Sequence, residues 1–406
     1  MSYMKENEVL NKFGSPLFVL DKKMLLSRFN DIKSAFNKYY PTTIAYSYKT
    51  NYLPYICNLL KNEGAFAEII PGFEFELAKR LGIKGENIIV NGPYKPIDEL
   101  EKILKYGCKI NADNLYEIKA ISDIAKRLNK KVKIGIRINA KIGDLPWNKF
   151  GFNIENGETQ EILGLLQRLD TIEIVGLHMH IGTNISKPEL YSSAINKLLD
   201  FYKENKARIN LEYIDLGGGF ASSGTTPINT KDDEWNVPHI GMYAKYICKP
   251  LNTYFKNQKP QLILEPGRFL VDESMYLLTK ITSIKEIFGV RSLFIDAGVN
   301  ILPSSYYRAH QIEPLNKKGL DKIITDVYGP LCMQVDLLES SICLPRLTVG
   351  DVLKVKNCGA YELSQSMQFI RARPAVVCID KNDYFMIRRK EQFKDITTLD
   401  NWKMIK

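Results

Sequence analysis

Short apolar runs alternate with amphipathic stretches through the first two-thirds of the chain. The runs are "TTIAYSY" (42–48), "AFAEII" (65–70), "NIIVN" (87–91), "CKINAD" (108–113), "VKIGIRIN" (132–139), "IEIVGLHMH" (172–180), "LEYIDL" (211–216) and "QLILE" (261–265). Each is short and apolar, as a buried strand is. Between them lie stretches such as "FEFELAKRLG", "IDELEKILKYG", "NLYEIKAISDIAKRLNK" and "SSAINKLLDFYKENK". In the second, Ile97, Leu100, Ile103 and Leu104 recur at helical spacing. Eight alternations of this kind predict an α/β fold, a (β/α)8 TIM-like barrel over residues 26–270. A doubly wound sheet is the alternative, and no G-x-G-x-x-G follows the first strand to support it.

After about residue 270 the rhythm changes. "ESMYLLTKITSIKEI", "RSLFIDAGV", "DVLKVKNCG", "PAVVCID" and "DYFMIRR" read as strands separated by turns, which predicts a C-terminal β domain over residues 271–406. The N-terminal segment 1–25 carries "PLFVLD" (16–21), which is expected to pair with that domain.

Composition narrows the function. The 406 residues are 45% hydrophobic and 25% charged, ordinary for a soluble protein, and too many for one core. No apolar run is long enough to cross a membrane, and the first ten residues hold no secretory h-region. Seven scattered cysteines without C-x-x-C spacing point to reduced thiols in a cytoplasmic protein. The net charge of +10 is interleaved with acids, as in "KDDEWN", so it implies attraction of anionic ligands and not a nucleic-acid partner.

In a (β/α)8 barrel the chemistry sits at the C-terminal ends of the strands. Lys49 follows the first barrel strand, Arg137 lies near the end of the fifth, and His180 closes the sixth. "DLGGGF" (215–220) follows the seventh and "EPGR" (265–268) the eighth. On one rim, these make Lys49 a candidate nucleophilic amine. The glycine triplet exposes successive backbone N–H groups that suit a phosphate, and Arg268 adds a guanidinium. His178 and His180 point the same way, as metal ligands do in barrel hydrolases. Only His239 and His310 remain to complete such a site, so no metal is expected, and a flat imidazole stacked on an aromatic cofactor is the competing use.

The segments "AYSYKTN", "AEIIPGFEFELA", "GLHMHIGT", "YIDLGGGF", "EPGRFLV", "YGPLCMQVDLL" and "GAYELSQSMQF", in this order, resemble the fold-type III pyridoxal-phosphate enzymes of the diaminopimelate/ornithine decarboxylase family. The resemblance implies an alanine-racemase-like barrel, a β domain, pyridoxal 5'-phosphate as cofactor, a small amino-acid substrate and a homodimer with shared active sites. Lys49 would then carry the cofactor, His180 would stack on its ring, and Glu265 would bond the ring nitrogen. Thr183, Gly217, Gly218, Gly219, Gly267, Arg268 and Tyr361 would hold the phosphate, with Arg137 beside Lys49. Cys332 would enter from the partner subunit as proton donor, with Asp336 nearby. A protonated ring nitrogen makes the cofactor a full electron sink, and desolvation with Arg137 close by favours a neutral Lys49 amine.

Two positions depart from the family pattern. Diaminopimelate decarboxylases carry an arginine shortly after "DAGMN"; here "DAGVNILPSSYY" places Ser304 there, and the next arginine is Arg308. After the cysteine stands Met333 instead of an acidic residue. Losing an ionic grip at both ends of the substrate tail predicts a substrate other than meso-diaminopimelate, in a specialised biosynthetic pathway. A shifted register in which Arg308 grips the carboxylate keeps diaminopimelate in play. An amino-acid racemase would share the barrel and the cofactor, and a metal-dependent barrel hydrolase would use the paired histidines of "HMH".

Overall fold

The computed structural model describes residues 2–145, 148–224, 227, 235–315 and 321–404. The chain divides into two compact units. One comprises Leu26–Ala221 and Val237–Phe269, the other Met1–Leu25, Ser222–Asn236 and Leu270–Lys406.

Strands are numbered along the chain, and β1 (Leu17–Asp21) belongs to the second unit. The first unit holds β2 (Thr42–Ser47), β3 (Phe66–Ile69), β4 (Ile88–Val90), β5 (Lys109–Ala112), β6 (Val132–Asn139), the short β7 (Phe152–Asn153) beside β6, β8 (Ile172–His178), β9 (Tyr213–Asp215) and β10 (Gln261–Leu264). Every pairing among them is parallel, in the order β5-β4-β3-β2-β10-β9-β8-β6, and β5 pairs with β6 to close the ring. The eight predicted strands are therefore the eight staves of a closed barrel. Helices cover its outside, so its strands are apolar on both faces. β4, for example, is Ile-Ile-Val and wholly buried. In the helix Ile97–Tyr106, Leu100 and Ile103 are buried, whereas Ile97, at its first position, is 63% exposed.

The barrel interior is layered by the two-residue period of its strands. Ala45, Phe66, Ile89, Tyr213 and Ile263 pack together as an apolar layer. A Cβ at Gly176 would overlap the Tyr213 ring, so β8 yields that space to the tyrosine. Two residues further along the same strands come Ser47, Glu68, Asn91, Asp215 and Glu265, all buried and all polar. The core thus changes from hydrocarbon to hydrogen-bonding groups toward the C-terminal mouth.

The second unit contains β11 (Met275–Ile287), β12 (Val290–Ile295), β13 (Ile312–Pro314), β14 (Lys322–Tyr328), β15 (Leu337–Pro345), β16 (Val352–Val355), β17 (Ala375–Asp380) and β18 (Asp383–Arg388). Its sheet runs β15-β14-β12-β11-β1-β17-β18. β1 lies between β11, antiparallel, and β17, parallel, with Leu17 opposite Leu278 and Ala375. Val9 and Leu10 of the helix Ser2–Phe13 join Leu17, Val19, Leu278 and Val377 in one core. Glu273 accepts hydrogen bonds from Ser222 and Ser223, which ties the start of Ser222–Asn236 to this unit, and Trp235 donates to the Ser222 carbonyl within that segment. That excursion from the barrel is absent from the 26–270 boundary expected from sequence. Among the described residues no helix is long and apolar enough to cross a membrane, and all seven cysteines are free thiols.

Candidate active site

The apolar-to-polar change inside the barrel ends in a cavity of about 250 Å³, lined by Lys49, Arg137, Phe150, His178, His180 and Glu265 among others. Lys49 sits in the single helical turn Tyr48–Thr50 directly after β2, with its side chain 44% exposed. Its Nζ lies 2.5 Å from Glu68 Oε2, and Ser47 Oγ donates to the same oxygen at 2.5 Å. Asn91 Nδ2 donates to Glu68 Oε1 at 3.1 Å and to Glu265 Oε1 at 2.6 Å, so one amide bridges the two carboxylates. Asn111 Nδ2 donates to Asn91 Oδ1 at 3.0 Å and receives Tyr213 OH on its own Oδ1 at 2.8 Å. A continuous chain of bonds therefore runs from the apolar layer to the Lys49 ammonium. Lys49 is half exposed and contacts Glu68, where burial away from solvent was expected from sequence.

Glu265 and Asp215 share a buried pocket that cannot easily hold two negative charges. Burial opposes ionisation of Glu265, but the His178 imidazole and the Lys49 ammonium outweigh it and hold this carboxyl below its ordinary range. Burial and the neighbouring Glu265 push Asp215 well up. The negative charge rests on Glu265. His178 Nε2 is 3.7 Å from Glu265 Oε2. Ligand atoms of His178, Asp215 and Glu265 all lie within 4.8 Å of one another. His180 stands outside that group, because its Nδ1 accepts the Gly218 N–H at 3.0 Å. Burial and Arg137 push His180 well below its usual range, so it presents a neutral ring.

The glycine turn serves close approach. A Cβ at Gly217, which has φ +62°, would overlap His180, and one at Gly218 would overlap the Glu265 carbonyl. The Gly217 N–H donates to Asp215 Oδ1 at 2.9 Å, so two of the N–H groups expected to face a phosphate point inward to Asp215 and His180. Gly267 packs against Thr50, Thr183 is exposed and Arg268 is buried. Arg137 reaches Asp113 Oδ1 at 3.4 Å and lies 4.5 Å from the Phe150 ring centre.

Glu74, in the helix Phe73–Arg80, is buried and accepts the Ile70 N–H at 2.8 Å. Burial raises its pKa from the ordinary 4.5 to about 7, partly offset by that hydrogen bond. Between those values the folded protein keeps a proton that the unfolded chain has lost. The stability tied to Glu74 is full below pH 4.5 and falls as pH rises through 7, by up to roughly 3 kcal/mol. Glu74→Gln is expected to flatten the urea-denaturation midpoint between pH 4.5 and 7.5 relative to the wild type; equal slopes in both proteins would contradict this.

Cys332, Ser304, Arg308, Met333, Asp336 and Tyr361 belong to the second unit. Cys332 is exposed on a loop shaped by Asp336, whose Oδ2 accepts the Leu331 N–H at 2.7 Å and whose Oδ1 accepts the Val299 N–H at 2.8 Å. Asp336 is itself 2% exposed, with both oxygens bonded to backbone, so it shapes this loop, where a substrate contact was expected of it. Ser304 is fully buried and donates to Glu362, and Arg308, 1% exposed, pairs with Asp272 and Glu362. Neither side chain faces open space, so the substrate-binding roles expected of Ser304 and Arg308 are corrected as well. Met333 is half-buried, and Tyr361 has a left-handed backbone with φ +74°.

Residues 22–272 match the family model of the pyridoxal-dependent decarboxylase pyridoxal-binding domain. The diaminopimelate decarboxylase of Methanocaldococcus jannaschii is 30% identical over 97% of this chain and 92% of its own length. That of Aquifex aeolicus is 30% identical over 95% and 91%. The crystal structure of the M. jannaschii enzyme with L-lysine superposes with a TM-score of 0.90 at 29% identity, covering 97% of this chain and 94% of that one. This chain belongs to the pyridoxal-dependent decarboxylases of fold type III, as an enzyme with an alanine-racemase-like barrel. The expectation that Ser304 and Met333 exclude diaminopimelate is overturned by these relatives, which repeatedly carry that activity across nearly the whole chain. The physical reason is that Ser304 is an interior residue, whose identity reports packing and not what a substrate tail meets.

Sequence reasoning missed Glu68, Asn91, Asn111, Asp113, Phe150 and Asp215. A signal for five of them was present. Glu68, Asn91, Asn111, Asp113 and Asp215 are polar residues inside or closing apolar strand runs, and a buried polar group needs a partner.

Proposed function

We propose that this chain is a pyridoxal 5'-phosphate-dependent decarboxylase of diaminopimelate, working as a homodimer with shared active sites in the cytoplasm. The observation that supports it most is the anionic Glu265 joined through Asn91 to Glu68 and the Lys49 amine across one cavity. These groups fit the cofactor: an anion for a ring nitrogen, an amine for the aldehyde, and a flat neutral imidazole at His180. Pyridoxal phosphate, when bound, supplies the electron sink for the pair left behind as carbon dioxide departs.

The protein's part is binding, orientation and proton transfer. Lys49 would carry the cofactor on its side-chain amine. Glu68 holds Lys49 at the strand end, and Glu265 would bond the ring nitrogen as its anionic partner. Thr183, Gly219 at the end of the glycine turn, Gly267 and Arg268 would hold the phosphate, with Tyr361 added by the family resemblance. Arg137, fixed by Asp113 and Phe150, supplies positive charge near the cavity. Cys332 delivers a proton to the α-carbon, and Met333 lies beside it as a contact for the substrate tail.

The test is an assay of purified protein with pyridoxal phosphate and diaminopimelate. Equal yields of carbon dioxide and lysine are expected, and uptake of cofactor without either product would overturn the substrate assignment.

A further inference from the structure

The Lys95 side chain is 0% exposed and lies in the same unit as the cavity. Its ammonium lies 2.7 Å from Glu117 Oε1, and it donates to the Gly92 carbonyl at 2.8 Å and the Asn111 carbonyl at 3.1 Å. An ammonium has three N–H donors, and three acceptors meet them here. One buried point therefore joins the loop after β4, the strand β5 and the helix Leu115–Arg127. Burial pulls the Lys95 ammonium below its ordinary range and pushes Glu117 up, and each carries its charge by virtue of the other.

Glu117 extends this arrangement toward the cavity. Its Oε2 accepts the Asp113 N–H at 3.1 Å, so its two oxygens tie Lys95 to the residue that follows β5. Asn114 caps the helix by accepting the Glu117 N–H at 3.0 Å, and it donates to the Pro93 carbonyl at 3.0 Å. Asp113 in turn accepts from Arg137 Nη1 at 3.4 Å. Among the described residues it is the one hydrogen-bond partner of that guanidinium, which lines the cavity together with Gly92 and Pro93.

A buried ion pair adds little net stability over well-packed apolar residues, so what this one supplies is geometry. A shift of the Asp113 backbone would carry its carboxylate, and with it the Arg137 charge. In a buried cavity a displaced charge matters far more than it would in water.

We propose that Lys95 is a positioning residue, setting through Glu117 and Asp113 where Arg137 presents its charge to an anionic ligand in the cavity. This rests on the pyridoxal-phosphate function given above, with pyridoxal phosphate as that ligand. Every residue in the relay belongs to the barrel unit.

The test is a double-mutant cycle on the dissociation constant of pyridoxal phosphate, titrated into cofactor-depleted protein and read by visible absorbance. Arg137→Met and Lys95→Met are each expected to weaken binding about tenfold, the scale of one charge-assisted hydrogen bond. In the Arg137→Met background, Lys95→Met is expected to change the constant by less than about twofold, because both losses pass through one guanidinium. A role confined to stability would lower the melting temperature and leave that coupling absent. Wild-type affinity in either single variant, or a double variant showing the product of the two losses, would overturn the proposal. If Lys95→Met does not accumulate folded, Lys95→Met combined with Glu117→Gln removes the pair together, leaves neither charge buried alone and takes its place in the cycle. A wild-type protein that takes up no pyridoxal phosphate would overturn the underlying function instead, and the proposal with it.

Discussion

Replacing Lys49 by alanine is expected to lower kcat by at least about 10⁴-fold, the upper end of what one positioned proton-transfer group supplies. In the proposed role Lys49 would do more than transfer a proton, since it would also carry the cofactor. The fold should survive the substitution. The side chain is half exposed, and Glu68 keeps hydrogen bonds from Ser47 and Asn91 after the ammonium is gone. Borohydride treatment followed by mass spectrometry provides the direct check. In the wild type the cofactor should be fixed on Lys49, and in Lys49→Ala on no residue. Attachment to a different lysine would remove Lys49 from its assigned role.

Cys332→Ala is expected to cost roughly 10²- to 10⁴-fold in kcat, the range for loss of a general acid. Because Cys332 is assigned to the partner's site, it should also complement Lys49→Ala. Under random subunit exchange, half of the dimers are mixed and each contains one intact site, so roughly a quarter of wild-type turnover should return. No recovery, with exchange verified by differently tagged subunits, would put both residues in one chain's site. The exposed position of Cys332, on a loop whose backbone is fixed by Asp336, suits a group that serves a surface outside its own unit.

The barrel was legible because its strands are apolar on both faces and its helices on one, a contrast that periodicity detects. Lys49, Arg137, His178, His180 and Glu265 were legible too, each lying on or just beyond a strand that faces inward by simple alternation. Glu68 stands as the one charged residue of "AFAEII", and its in-phase position, two residues past the core residue Phe66, places it on the inward face. The glycine triplet was correctly placed but given the wrong use for two of its donors, since sequence cannot tell which way an N–H will turn. Ser304 and Arg308 failed for a different reason. Their sequence positions predict side chains that face the substrate, whereas both are interior and bonded to Glu362. Burial is a property of tertiary packing, and the local pattern "ILPSSYYRAH" carries no period that reveals it.

The comparison of kcat/KM for diaminopimelate with those for lysine, ornithine and arginine tests the central claim most directly. A site that recognises charged groups at the tail rejects analogues lacking them by factors of about 10⁴. Diaminopimelate is therefore expected to exceed each of the others by at least about 10²-fold, with lysine appearing as the product. Equal or greater kcat/KM for lysine, ornithine or arginine would contradict the assignment, whatever the state of the cofactor.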